Sequence, residues 1–386
     1  MNIAAEYRKH VVTEFSPPAP APGRSLRQII SVAHLWAGLI CGIPAAAIAI
    51  TGAVVMLRHQ RPITIETATF ITPPSIDAIL AAAQKAIPGG APPQQYQPAM
   101  PTLPAVVQYG VARTETNPRG IARILVDPVS LAIVPDSEPP TSAFTVFARN
   151  FHVNLLAGNT GRALVGAVGA LMLVLGISGL VQWWPKPGRW REAFLIRGRG
   201  SALMILREIH GAAGIWGLIV FLFVAGSGAI IAFPAAPPPA PPPSPNAQAN
   251  VAPAAAPASA DAAVATAMAA KPDAVLRQVD LPRAPGGAFR IGLSRVGDVS
   301  LAPMISVSVD GAASRVIAIA DPAELPLPAR LRTWLRPMHE GGGVGWVWWT
   351  LVLISSILPT VFICSGTAMW LIKRRNRARV RAAQVA

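Results

Sequence analysis

Residues 29–57 read IISVAHLWAGLICGIPAAAIAITGAVVML. No Asp, Glu, Lys or Arg interrupts the run, and it exceeds the roughly 20 residues that carry a helix through the hydrocarbon of a bilayer. Its apolar residues do not fall on a single stripe, as they would on a soluble surface helix. Three more runs have the same character: 163–184 (ALVGAVGALMLVLGISGLVQWW), 209–233 (IHGAAGIWGLIVFLFVAGSGAIIAF) and 344–372 (VGWVWWTLVLISSILPTVFICSGTAMWLI). Four membrane spans are expected, with Trp183, Trp184, Trp346, Trp348 and Trp349 at the lipid–water boundary.

The composition agrees. Of 386 residues, 52% are hydrophobic and 13% charged, against about 25% charged in average soluble domains. Two cysteines build neither a disulfide framework nor a Cys-based cluster. The +15 charge is mainly a topology signal and not a nucleic-acid footprint. About half of the 33 basic residues lie in three short segments, at 1–28, 185–208 and 373–386. Most of the 18 acidic residues lie in the long segments 58–162 and 234–343. Positive charge marks the cytoplasmic side, so both termini and the 185–208 loop are expected inside and the long segments outside. The first span reads as an uncleaved signal anchor, since it is far longer than a cleavable signal core.

The two halves of the chain align in two blocks, each without a gap. With His34 on His210, Gly38 meets Gly214 and Thr51-Gly52-Ala53 meets Ser227-Gly228-Ala229. With His152 on His339, Ser178-Gly179 meets Ser365-Gly366. Arg149, Arg207 and Arg336 each stand three residues before their histidine. The expected architecture is a membrane α-helical fold with four transmembrane helices in a parallel two-fold internal repeat. A pseudo-two-fold axis along the membrane normal would set His34 opposite His210 near one surface and His152 opposite His339 near the other.

Paired histidines from facing helices are the usual axial ligands of non-covalent b-type haem in a helix bundle. Two haems b are therefore expected, with His34, His210, His152 and His339 as iron ligands. Gly38 and Gly214, one turn from their histidines, would leave room for a porphyrin face. Arg149, Arg207 and Arg336 would pair with haem propionates, with Arg27 a weaker candidate beside His34. The plainer reading is four interfacial histidines that only hydrogen-bond, with glycines serving close helix packing. A zinc or copper site would need further ligands, and Glu340 beside His339 is the one neighbour of that kind. His59 is a reserve ligand, and His10 reads as solvated. Cys41 and Cys364 read as small buried hydrophobes, and Pro44 and Pro359 as helix kinks.

Outside the spans, 58–150 reads as a small α/β module: a helix at 75–87, then strands at 106–112 and 121–126. Residues 259–335 repeat the theme, with a helix at 260–270 and strands at 288–293, 305–309 and 316–320. Residues 234–258 form a Pro/Ala-rich linker. Segments 151–184 and 336–372 each join an interfacial stretch to a span. No nucleotide-binding or catalytic constellation occurs in these segments.

These features resemble the PepSY-associated transmembrane helix family. The resemblance is carried by His152-Val153-Asn154-Leu155-Leu156-Ala157-Gly158, Gly161-Arg162 and Gly176-Ile177-Ser178-Gly179-Leu180-Val181. It is carried also by His-Leu-Trp-Ala-Gly at 34–38, His-Gly-Ala-Ala-Gly at 210–214, and Arg123-Ile124-Leu125-Val126-Asp127-Pro128. Two departures stand out: Ser-Gly at 227–228 in place of Thr-Gly, and Val309-Asp310-Gly311 without the Asp-Pro. The resemblance implies two PepSY-like periplasmic modules and a place in the bacterial inner membrane. It further implies a dihaem oxidoreductase that reduces a ferric siderophore or another periplasmic acceptor. The electron donor is not encoded, leaving a quinol or a separate reductase. The alternative is a non-catalytic PepSY anchor that binds or regulates a periplasmic protein or peptidase. A metal-ion transporter ranks last, because the spans lack mid-membrane acidic residues.

Overall fold

A computed structural model describes residues 25–58, 75–87, 90–100, 104–114, 117, 120–136, 142–233, 259–284, 286–298 and 302–384. The tail before Ser25, His10, His59 and the linker at 234–258 lie outside the described residues. Four helices are long and apolar enough to cross a membrane, and the chain is a membrane helical protein. They are α1 (Leu26–Arg58), α4 (Gly158–Trp183), α6 (Ala202–Ala232) and a fourth in two pieces, α9 (Trp346–Ser355) and α10 (Leu358–Ala383). Their mutual packing buries Ala45, Met172, Phe221 and Leu358 in one apolar cluster.

The fourth helix is interrupted once and runs on beyond its apolar stretch. The interruption expected at Pro359 is there: the helix breaks after Ser355 and restarts at Leu358. Pro359 has no N–H to give to the Ser355 carbonyl, so the ladder cannot run through. The basic segment expected as a tail over 373–386 continues α10 helically to Ala383.

The remaining elements form one body on the far side of the bundle from the α4–α6 loop. They are α2 (Ile76–Ala86), β1 (Pro93–Gln97), β2 (Ala105–Gly110), β3 (Ile121–Val126) and β4 (Ile133–Val134) from the first long segment. The second contributes α7 (Ala260–Ala270), β5 (Ala274–Asp280), β6 (Phe289–Arg295), β7 (Ile305–Val309) and β8 (Val316–Ala320). The strands make a single eight-stranded antiparallel sheet ordered β4-β3-β2-β1-β5-β6-β7-β8. Two small α/β modules were expected; their strands join in this one sheet through β1 and β5, which pair edge to edge with Gln95 opposite Asp280 and Tyr96 opposite Val279. Alternate residues such as Val107, Tyr109, Val307 and Val309 turn to one face, where α2 and α7 cover them with Ile79, Ala83, Ala263 and Ala267.

Two short amphipathic helices join this body to the bundle: α3 (Ala143–Asn154) and α8 (Leu327–His339). After α3 the chain reverses through Leu155 and Leu156, both left-handed, and into α4. Gly161 permits the reversal, since a Cβ there would run into the Asn154 carbonyl. After α8 the reversal uses Gly341, Gly343 and Gly345, all at positive φ. These corners leave His152 and His339 on helices that lie against α1 and α6. A four-residue helix, α5 (Trp190–Ala193), sits in the α4–α6 loop.

Candidate functional site

The four histidines of the sequence alignment meet as two pairs. His34 on α1 and His210 on α6 have ring centroids 6.4 Å apart, with planes at 72°. His152 on α3 and His339 on α8 have centroids 6.2 Å apart, with planes at 35°. The second pair lies against Gly52 and Gly228. Each glycine is eighteen positions beyond the first-pair histidine on its own helix, a rise of about 27 Å. The two pairs therefore stand near opposite ends of the long helices.

Every ring is held by Nδ1. His34 Nδ1 lies 2.8 Å from Ser178 Oγ, and His210 Nδ1 2.8 Å from Ser365 Oγ. His339 Nδ1 lies 3.0 Å from Ser227 Oγ. His152 Nδ1 lies 2.7 Å from the Ile48 carbonyl. A carbonyl only accepts, so His152 carries its proton on Nδ1. The three serine hydroxyls reach backbone carbonyls at Leu175, Val361 and Phe223. With their single proton committed there, they accept from the imidazole. All four rings are then the same tautomer, with the Nε2 lone pair free. Burial pushes the His152 pKa down. Burial, with His152 beside it, takes His339 to about 4. Both rings are neutral at ordinary pH, the form that ligates iron.

Glycines make the space. A Cβ on Gly52 would stand 2.7 Å from His152 Cε1, and one on Gly228 2.9 Å from His339 Cε1. At Gly179 and Gly366 an added Cβ would stand 3.4 and 3.9 Å from Cε1 of His34 and His210, ordinary van der Waals contact, so only the second pair requires its glycines. At Gly38 and Gly214 an added Cβ would meet nothing within 4 Å. The turn beside each first-pair histidine thus borders open space.

The spacing has a simple test. A metal–imidazole bond of about 2.0 Å plus roughly 1.1 Å from nitrogen to ring centre, doubled, gives about 6.2 Å for two rings on one metal ion. The observed 6.4 and 6.2 Å fit that value. Among the described residues no group of three or more His, Cys, Asp or Glu gathers to hold a bare metal ion. Glu340 pairs with Arg336 at 3.4 Å. Two axial nitrogens suit a centre whose other four ligands come from a porphyrin.

The arginines are less committed. Arg149 and Arg207 are exposed, one turn before their histidines. Arg336 shares its charge with Glu340. Arg27 donates from Nη2 to the carbonyls of Gln182, at 2.9 Å, and Trp184, at 3.4 Å. Along the sequence the Ser-Gly and Thr-Gly pairs are only markers of the repeat; in the fold their serines hold the rings. Their signal was their fixed offset from the histidines. The exception is Thr51, whose hydroxyl bonds back to Ala47 and Ile48 while the Ile48 carbonyl takes His152. Between the pairs, Phe362 packs 5.1 Å from His210 and 5.8 Å from Phe221.

A family model described as the PepSY-associated TM region matches residues 32–373. The uncharacterized protein PA4219 of Pseudomonas aeruginosa is 36% identical over 84 residues, which are 21% of this chain and 20% of that protein. The match thus spans about a fifth of that relative's length.

Proposed function

The chain belongs to the family of PepSY-associated TM regions, and from that premise we propose that it is an inner-membrane dihaem b-type oxidoreductase. It passes electrons across the membrane to a periplasmic acceptor, with a ferric siderophore as the substrate that best suits the chemistry. The observation that carries this reading is the pairing of four histidines at single-iron spacing near both ends of the bundle. A parallel two-fold repeat accounts for that pairing, since each half supplies one ligand to each centre.

His34 and His210 would hold one haem, and His152 and His339 the other. Bound there, haem iron supplies one-electron reduction and oxidation. The chain's own groups do the rest. The serine hydroxyls and the Ile48 carbonyl fix each ring's orientation and strengthen its Nε2 as a donor. Gly38 and Gly214 border open space, where an added Cβ would meet nothing within 4 Å. Arg149 and Arg336 would face propionates at the outer centre and Arg207 at the inner one. The apolar cluster with Phe221 and Phe362 keeps water out of the space between the centres. Positive charge favours the cytoplasmic side, so the basic loop and α10 terminus support the reading that the His34–His210 pair is the inner one. The outer pair then stands under the sheet, where a siderophore would arrive. Its hard oxygen donors hold Fe(III) far better than Fe(II), so one electron loosens the iron.

A reduced-minus-oxidised spectrum of the purified chain, loaded with haem, tests this. Two b-type centres are expected, with His34→Ala and His339→Ala each losing one. A chain with no Soret band, or one unchanged by both substitutions, overturns it.

The second reading is a membrane anchor for a periplasmic protein. It is favoured by a cavity of about 440 Å³ at the β1–β5 seam, lined by Gln95, Gln108, Asp280, Arg283 and Arg290. A protein captured by the chain after all four histidines are replaced would support it.

A further inference from the structure

At the cytoplasmic end of the bundle, α1 and α4 enclose a groove of about 560 Å³. Its walls are Leu26, Ile30, Leu180, Val181 and Trp184, and its one charged group is Arg27. The volume falls in the range of small-molecule sites. Leu26, Val181 and Trp184 are exposed, so the groove opens to the lipid side of the bundle. Ile30 is one turn before His34 on α1. Leu180 and Val181 directly follow Ser178 and Gly179, which hold and abut the His34 ring. A molecule in the groove therefore lies one turn from the inner histidine pair.

Arg27 is tethered through Nη2 to the last carbonyls of α4, where the negative end of the helix dipole favours a cation. Among the described residues its Nε and Nη1 make no hydrogen bond. The groove thus offers an apolar slot, open to lipid, with a fixed cation and free donors beside a redox centre. No loop carries a nucleotide signature that would serve a soluble electron carrier.

We propose that the groove docks an isoprenoid quinol, the electron donor of this protein; the proposal rests on the dihaem reading above. The ring and tail suit the apolar walls. Arg27 complements the quinol oxygen, on which negative charge develops as its proton leaves. Oxidation breaks the two O–H bonds of the quinol and makes two C=O bonds. Two protons go to the cytoplasmic water. The two electrons would leave by way of the haem that His34 and His210 would hold, and each would reduce one ferric acceptor to ferrous.

The test uses the full chain, loaded with haem, in phosphatidylcholine nanodiscs, with decylubiquinol added without oxygen. Saturable reduction of the haem absorbance is expected. Arg27→Gln and Val181→Phe should each lower its kcat/KM at least tenfold, while dithionite still reduces all three proteins fully. A second readout needs no haem: an azido-quinone should photolabel the apo chain within residues 26–30 and 180–184. Equal quinol rates in wild type and variants, or no label in those segments, overturns the proposal. So does loss of a co-purifying anionic phospholipid from Arg27→Gln with quinol rates unchanged, which would make the groove a lipid site. A chain without a Soret band sinks the dihaem reading and the proposal with it. A chain with the band, reduced by dithionite and not by quinol, sinks the proposal alone.

Discussion

Single hydrogen bonds decide whether an imidazole presents a lone pair or a proton. Ser365 Oγ fixes His210 because its own proton is already given to Val361. Ser365→Ala removes the acceptor, frees the ring to turn and costs a buried N–H its partner. Loss of such a supporting contact lowers metal affinity by about 10–100-fold. Titrating haem into the apo chain and reading the dissociation constant checks it. Crowding gives a second outcome. A side chain at Gly228 would occupy the place of the His339 ring. Gly228→Val is therefore expected to drop the haem content from two per chain to one, with the helical circular dichroism retained. Pyridine haemochrome assay counts the haems.

Among the secondary-structure elements, α2 and α7 cap each other. Asp261 accepts from Ser75 Oγ at 2.6 Å, Ile76 N at 2.7 Å and Asp77 N at 3.3 Å. Asp77 accepts in return from the amides of Ala260 and Asp261, at 2.9 and 3.2 Å. Each carboxylate thus satisfies the orphan donors of the other helix and meets the positive end of its dipole. Burial pushes the Asp261 pKa up, but the bonds from Ser75, Ile76 and Asp77 outweigh it and hold the carboxyl below its usual 3.8. Its contribution is complete above the unfolded value and disappears as pH falls through the lower folded one. Asp261→Ala is expected to cost the extramembrane body about 1–2 kcal/mol at neutral pH. The deficit should shrink at pH values below 3.8, and urea unfolding followed by tyrosine fluorescence measures both.

In the molecule as a whole, four apolar helices carry a sheet body on one side and a basic loop with aromatic anchors on the other. In that loop Trp183 Nε1 donates to the Ala193 carbonyl and Trp216 Nε1 to that of Phe194. Lys186 in the loop and Val296 beside the sheet are both exposed. With Cys41 and Cys364 replaced by Ala, Val296→Cys should react with an impermeant maleimide in intact spheroplasts. Lys186→Cys should react only after lysis. The opposite pattern would reverse the direction proposed for electron flow.

Much of this was readable along the chain, and the reason is physical. A bilayer demands long apolar runs, so composition exposes the four helices directly. The offsets between His34, Gly52, His210 and Gly228 place side chains at matching depths on any pair of α-helices. β1 was not readable: Pro-Gln-Gln-Tyr-Gln has a proline and little alternation, and it resembles a loop. Its pairing with β5 joins residues about 185 apart through backbone bonds that leave no side-chain signature. Nor does periodicity say how far apart two rings sit. The 6.2 Å between His152 and His339 depends on how α3 and α8 turn back at their corners, and the 6.4 Å between His34 and His210 on how α1 and α6 pack in the bundle. The serines gained their role only when packing brought a hydroxyl from one helix to a ring on another.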